Sequence, residues 1–471
     1  MLSRWLGRIR EILFANNLNV KPRSTMANPL VLIHGYGSDA EAFHVWKDAL
    51  LQAGRTIEEI SIGNYVTLNN EITVDDIANG LQNALHSKGL DQKPFDAIVH
   101  STGMLVIRSW LTASNAQTSR QGLLKHLVAL APATFGSPLA AKGRSLIGRI
   151  FQGNKDPGPD FLNSGNLVLS NLELGSKYTW DLAHKDLIDK KLYGPGDDTP
   201  YVFVFDGTDD YGKLAEIFLP GDQKGSDGVV RWSGVALNSR KITLNLSSPV
   251  PKVQWSDWSN LLDIPIIPVA GVNHNQILSK PPNELIPLVL SALDVNSAAD
   301  VATFYAAVAQ AGVIQAAKQK LSTDQWQQFV VHAEDSQGNP ITDYSIEILT
   351  VDEDRKETTI SGFEADVHPF AADTSFRCFH VELCKLPDLT GKRLIARLRA
   401  STGTNLVGYE GYWSKTSETA DPEFGPVDLD ISAFNGSQPG KPVLFYPFTT
   451  TLLEIILSRE PIPPFKIFQW A

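Results

Sequence analysis

Cysteine is scarce in this chain: two residues in 471, Cys378 and Cys384. That pair offers neither a disulfide framework nor a zinc-ligand spacing, and the strand-like sequence between them is expected to point both to one face. A reducing compartment, the cytoplasm, is the expected location, with secretion without a cleaved signal as the alternative. Long apolar runs are also missing. No stretch approaches the ~18 uninterrupted apolar residues that a membrane span needs. Positive charge is not in excess either: the formal net charge is −11, which argues against nucleic acid as the main partner. There is no internal repeat and no low-complexity tract. What remains is a globular composition, 43% hydrophobic and 20% charged, in a chain long enough for two domains with ordinary cores.

The first residues, "MLSRWLGRIREILF", carry Arg4, Arg8 and Arg10 but no long apolar core and no small-residue cleavage site, so they do not read as a signal peptide. Leu2, Trp5, Leu6, Ile9, Ile12 and Leu13 follow helical spacing. Residues 1–25 are therefore expected to form an amphipathic helix, packed on its own domain or lying on a membrane surface. Met26 leaves the true start open.

From residue 26 to 297 short apolar runs alternate with helical patterns. "PLVLIHG" (29–35), "FDAIVH" (95–100), "HLVALAP" (126–132), "YVFVFDG" (201–207) and "IPIIPVAG" (264–271) are continuously apolar. Strands covered on both faces have this composition, and they belong to parallel sheets. Helices are expected at 41–53, 74–88, 103–114 and 283–293, which makes an α/β sheet flanked by helices. Residues 138–200 interrupt the rhythm with turns and the amphipathic piece "SKYTWDLAHKDLIDKKL", as a lid or cap inserted between strands does. A helical linker is expected at 298–325. From 326 to 471 alternating strands ("QQFVVHAED", "SIEILTV", "FRCFHVELC", "RLIARLRA", "GYEGYW", "PVLFYP", "LLEIILS") separated by turns read as an all-β sandwich.

The stretch "DAIVHSTGML" places Ser101 directly after an apolar strand and before a credible helix. A nucleophile elbow needs that context, because the tight turn lifts the hydroxyl above the ends of the strands. The usual glycine–x–serine–x–glycine reads here Val99-His100-Ser101-Thr102-Gly103, so the second glycine is present and Val99 replaces the first. Alone, the pattern fits an N-cap serine equally well. "VLIHGYG" adds a His-Gly pair at the end of an early strand, from which the backbone N–H of Tyr36 would join that of Thr102 as an oxyanion site. His34 itself reads as a hydrogen-bonded structural histidine. A serine hydroxyl needs an imidazole to take its proton. His274 in "VAGVNHNQIL", just after the last apolar strand, is the candidate. His100 and His126 are near alternatives, but both fall on expected buried strands.

The orienting acid has two locations. "VFVFDGTDDYG" offers Asp206, Asp209 and Asp210, which also read as a solvated turn or a cation site; "GDQKGSDGVVRWSG" offers Asp222 and Asp227. Asp227, between a serine and a glycine on a tight loop, is preferred, with Asp206 as the alternative acid. No metal site and no cofactor are assigned.

Together, "VLIHGYG", "VHSTGM", "LVALAPATFGSPLA", "GSDGVVRWSG" and "GVNHNQIL" resemble α/β-hydrolase lipases and esterases of the lecithin:cholesterol-acyltransferase-like and bacterial lipase kind. The resemblance covers roughly residues 28–295. In those proteins the acid sits in an Asp-Gly-x-Val loop, which Asp227-Gly228-Val229-Val230 matches, and the segment matching "APATFGSPLA" leads to the lid. The resemblance implies an α/β-hydrolase fold and a carboxylic ester hydrolase, with lipid or other esters as partners. An acyltransferase would share every motif; a binding protein on the same scaffold would be expected to lack an intact triad. "SLIGRIF" (145–151) and "YTWDLAHKDL" (178–187) would supply a greasy lid or ordinary core helix. Tyr412, Trp413, Phe445, Tyr446, Phe468 and Trp470 would form a core or a membrane-surface anchor.

Overall fold

A computed structural model describes residues 27–35, 43–59, 71–113, 119–142, 166–189, 192–194, 199–212, 224–247, 252–256, 264–404, 407–409, 426–436 and 443–461. The expected N-terminal helix, "SLIGRIF", Asp222, Tyr412, Trp413, Phe468 and Trp470 lie outside the described residues.

The apolar runs form the strands they imply. β1 (Leu30–Ile33), β2 (Ile57–Glu59), β3 (Phe95–Ser101), β4 (Leu124–Pro132) and β5 (Tyr201–Gly207) lie in one sheet. The next two strands, β6 (Ser239–Asn245) and β7 (Lys252–Trp255), belong to another sheet, and β8 (Ile266–Val269) returns to the first. Its order is β2-β1-β3-β4-β5-β8, with every pair parallel. Because side chains alternate across a strand, Val31, Ile33, Ala97, Val99 and Ala129 bury on one face with the helices Val74–Ser87 and Gly103–Thr112. Leu30, Leu32, Ile98, Val128 and Leu130 bury on the other, against His44–Gln52, Leu285–Ala292, Ala298–Gln310 and Gly312–Leu321. Two covered faces explain why these strands carry no polar alternation. The last two helices stand where the helical linker is expected.

The later chain forms β9 (Trp326–Asp335), β10 (Asp343–Val351), β11 (Glu357–Thr359), β12 (Val367–Pro369), β13 (Phe376–Glu382), β14 (Arg393–Ser401), β15 (Val407–Tyr409), β16 (Val427–Asp430), β17 (Thr450–Leu457) and β18 (Arg459–Pro461). One sheet runs β11-β10-β14-β16 and the other β12-β13-β9-β17-β6-β7. Phe329, Val331, Phe379 and Ile455 of one sheet share a core with Ile346, Ile348, Leu394 and Leu398 of the other, which makes a sandwich. β6 and β7 come from the middle of the α/β segment and complete this sandwich, β6 pairing in parallel with β17. The two folded layers are thus interleaved in sequence.

Two local expectations differ. "PVLFYP" yields no strand among its described residues: Pro447 cannot donate to a ladder, and Phe448 takes φ 57. Leu444 is nonetheless core and Phe445 packs against it. The cysteines do not share a face, because β13 ends at Glu382; Cys378 is buried within it and Cys384 is exposed in the turn beyond. Tyr446 is exposed, at 44%.

In the 138–200 insertion, the helices Asn166–Leu172 and Lys177–Ala183 pack inward. Trp180 lies edge-on to His332 and Phe376 of the sandwich. Buried Asp186 takes a fork from buried Arg108, with Nε and Nη2 at 2.7 and 2.9 Å, and Tyr193 donates to the same carboxylate at 2.7 Å. Arg108 rises from the helix after Ser101, so this pair ties the base of the insertion to the elbow helix.

Candidate active site

Ser101 ends β3 with φ 54, a left-handed conformation that costs a non-glycine residue ~1–2 kcal/mol. The helix Gly103–Thr112 begins two residues later. The strain is tolerated because the surroundings leave the turn little room. A Cβ on Gly35 would lie 2.6 Å from the Ser101 Cβ and 3.2 Å from its Oγ. A Cβ on Gly103 would lie 2.7 Å from the Ile33 carbonyl oxygen. The glycines of "IHG" and "STG" are therefore required by close approach of β1 to the elbow. Val99, the departure from the usual motif, pairs with Ile33 and Ala129 and is fully buried in the helix-side core. Thr102 is the N-cap of the helix; its N–H precedes the first turn and has no intrahelical carbonyl to reach. Tyr36 lies outside the described residues, while its neighbours His34 and Gly35 are buried beside Ser101.

Asp227 and His274 meet directly. His274 Nδ1 is 2.6 Å from Asp227 Oδ2, and both side chains are fully buried. The carboxylate can only accept, so Nδ1 carries the proton. Oδ1 of Asp227 accepts the backbone N–H groups of Val229 and Val230 at 2.9 and 2.8 Å. The His274 N–H in turn donates to the Asp227 carbonyl at 3.1 Å. Gly228 makes this loop possible: its φ is 94, and the Tyr211 ring fills the space a Cβ would take, 2.5 Å away.

Ser101 joins this pair through its neighbour in the chain. The His100 ring lies 4.8 Å from that of His274, and His100 Nε2 donates to the His274 carbonyl at 3.1 Å. Burial, reinforced by the nearby His274, pushes the His100 pKa well below that of an ordinary histidine. A neutral ring bound to a backbone carbonyl braces His274 rather than competing with it. The other rival, His126, lies at the opposite end of the sheet, between Asp96 (2.7 Å) and the Val295 carbonyl (2.5 Å).

Asp206 ends β5 beside Asp227. Burial, then the Asp227 charge, pushes its pKa well above the carboxylate range. Three N–H donors converge on Asp227, so the proton that burial favours belongs to Asp206. Its Oδ1 accepts from Gly207 N at 3.0 Å. Asp209 instead faces Lys320 at 3.7 Å, and the exposed Asp210 accepts from Gly212 N at 2.7 Å. Among the described residues no group of three or more histidine, cysteine or acidic side chains could hold a metal ion.

Residues that sequence reading missed stand behind the acid loop. Arg231 Nη2 is 3.0 Å from each oxygen of Asp366 in the sandwich, and Gly225 packs against the Trp326 ring. The arginine beside "DGVV" was visible as a residue; its partner was not.

A parallel sheet in which the third strand ends on a left-handed serine, with an Asp–His pair on loops after later strands, is laid out as an α/β-hydrolase fold. No family model matches the chain, and no curated protein does. Among solved structures it is similar to phospholipase PlaB from Legionella pneumophila, with 19% identity and TM-score 0.71 over 94% of this chain and 96% of that one. The same phospholipase in complex with thio-NAD gives 20% identity and TM-score 0.69 over the same shares. The mature lipase BlEst2 from Bacillus licheniformis covers 59% of this chain and 95% of its own, at 15% identity and TM-score 0.36. The likeness to the first two spans both folded layers: the chain has an α/β-hydrolase fold and a β-sandwich, most of which follows it in sequence.

Proposed function

We propose that the protein is a serine hydrolase of carboxylic esters, acting on lipid esters and on phospholipids in particular. The observation that carries this reading is the buried Asp227–His274 hydrogen bond of 2.6 Å, whose imidazole lies 4.8 Å ring to ring from His100, the chain neighbour of a serine at φ 54. In this reading Ser101 Oγ attacks the ester carbonyl while His274 Nε2 takes its proton. The tetrahedral oxyanion is held by the backbone N–H groups of Thr102 and Tyr36. His274 returns the proton to the departing alcohol, leaving Ser101 acylated; water, deprotonated by the same imidazole, then releases the acid. Asp227 orients the ring and stabilises its cationic form.

The phospholipid preference is supported by likeness of fold to a protein described as a phospholipase, along nearly the whole of both chains. Lipid-surface contact would fall to the sandwich or to the N-terminal segment. The test is a hydrolysis panel of para-nitrophenyl esters of short and long acyl chains alongside phosphatidylcholine vesicles. Wild-type turnover that disappears in Ser101→Ala supports the reading. No turnover of any ester, with wild type and variant alike, overturns it in favour of a binding scaffold.

A further inference from the structure

Among the described residues, the stretch 224–231 that carries Asp227 holds a single bridge, between Ser226 and Arg231, before a 3-10 turn at Trp232–Gly234. Trp232 N closes it on Gly225 O at 2.8 Å. What fixes it from outside is the sandwich. Gly225, at φ 63, lies flat on the Trp326 indole, where a Cβ would come within 2.6 Å of the ring. Arg231, whose side chain is 1% exposed, is held by both Asp366 oxygens at 3.0 Å. Thr450 donates to the Ser233 carbonyl at 2.9 Å, and Gly234 packs on the Gln328 amide. The two anchors are themselves joined: His380 stacks on Trp326 at 4.3 Å and its Nδ1 is 3.4 Å from Asp366.

We propose that Asp366 and Trp326 are positioning residues for the Asp227–His274 pair, Asp366 acting through Arg231 and Trp326 through Gly225. The proposal rests on the hydrolase reading and deepens it: the sandwich is part of the active-site scaffold. Arg231 and Gly225 flank the acid on either side, joined across the loop by the Ser226–Arg231 bridge, so any shift of one is delivered to the carboxylate. Burial opposes ionisation of Asp366, but the His380 hydrogen bond and the Arg231 charge hold it at about 2, so the clamp is charged wherever the enzyme works. Misplacement of a catalytic group by ~1 Å costs on the order of 10²-fold in rate.

The test compares wild type, Asp366→Asn and Asp366→Glu by melting temperature, kcat and KM on para-nitrophenyl butyrate, the pH–rate profile, and the low-field proton resonance of His274 Nδ1. In Asp366→Asn, kcat is expected to fall about 10- to 100-fold with KM within about twofold. The acid limb moves to lower pH, because a loosened Asp227 no longer supports the imidazolium. The low-field resonance shifts upfield or broadens, and Asp366→Glu restores part of each change. An Asp366→Asn variant that only melts earlier, with kcat, pH profile and resonance unchanged, overturns the proposal. If wild type turns over no ester, the hydrolase reading fails, and the resonance alone still decides the positioning. If Asp366→Asn does not fold, Trp326→Phe is judged by the same readouts and the same two outcomes.

Discussion

His274 Nδ1 and Asp227 Oδ2 lie 2.6 Å apart with no solvent exposure on either side chain, while burial and the charge of the same aspartate push the pKa of a second buried carboxyl, Asp206, well up. Two acids are present and their surroundings separate their roles. In the proposed mechanism Asp227, which accepts three N–H donors, is the orienting carboxylate. Asp206, buried and beside a negative charge, is its neutral neighbour.

Replacement by asparagine separates the two. Asp227→Asn leaves the imidazole facing an amide and favours the wrong tautomer, so kcat should fall by about 10⁴-fold. Asp206→Asn keeps a neutral group beside Asp227, and its kcat should stay within about threefold of wild type, about the rate step of one hydrogen bond or less. Steady-state kinetics on one para-nitrophenyl ester distinguish them. Equal losses would mean that the acids share the role.

The raised pKa of Asp206 also makes a statement about stability. Its unfolded value is about 3.9, below its folded one. Sign follows: the folded state binds the extra proton, so the contribution of this group is fully present below pH ~4 and is lost as pH rises toward the folded value. Asp206→Asn does not titrate. Its melting temperature should therefore gain on wild type as pH rises from about 4 to 8, and a constant offset across that range would contradict the assignment.

Gly35 offers a steric test. Its missing Cβ would stand 2.6 Å from the Ser101 Cβ, so Gly35→Ala must displace either the elbow or β1. An expected loss of about 10²-fold in kcat, with wild-type circular dichroism, would place the damage at the serine. Full activity would show that the turn has room to give.

The Arg108–Asp186 pair bears on the insertion. Both side chains are 0% exposed, and removing one partner of a buried pair typically costs about 3–5 kcal/mol. Asp186→Ala should show a loss of that size in urea unfolding. Arg108→Leu combined with Asp186→Leu should recover much of it, since no buried charge is then left alone. A double variant as weak as the single one would mean that the pair is needed for more than charge balance.

Much of the hydrolase layer was legible because its strands are covered on both faces, and continuous apolar runs such as "YVFVFDG" have no other good home. The elbow was legible from its glycines, since Gly35 and Gly103 answer to close backbone approach rather than to fold at large. β6 and β7 were not: "SRKITLN" alternates, as a half-covered strand does, and it sits inside the hydrolase segment while pairing with β17. The proximity of Asp206 to Asp227 arises from the path of the acid loop back over the end of β5, which no local spacing encodes. Arg231 and Asp366 are 135 residues apart, and nothing in either stretch announces the other.

The most direct measurement is covalent. Wild type treated with a fluorophosphonate, digested and read by mass spectrometry should carry one adduct, on the peptide containing Ser101. Labelling should be absent in Ser101→Ala and strongly slowed in Asp227→Asn. An unmodified protein, or an adduct on another residue that persists in Ser101→Ala, would contradict Ser101 as the nucleophile.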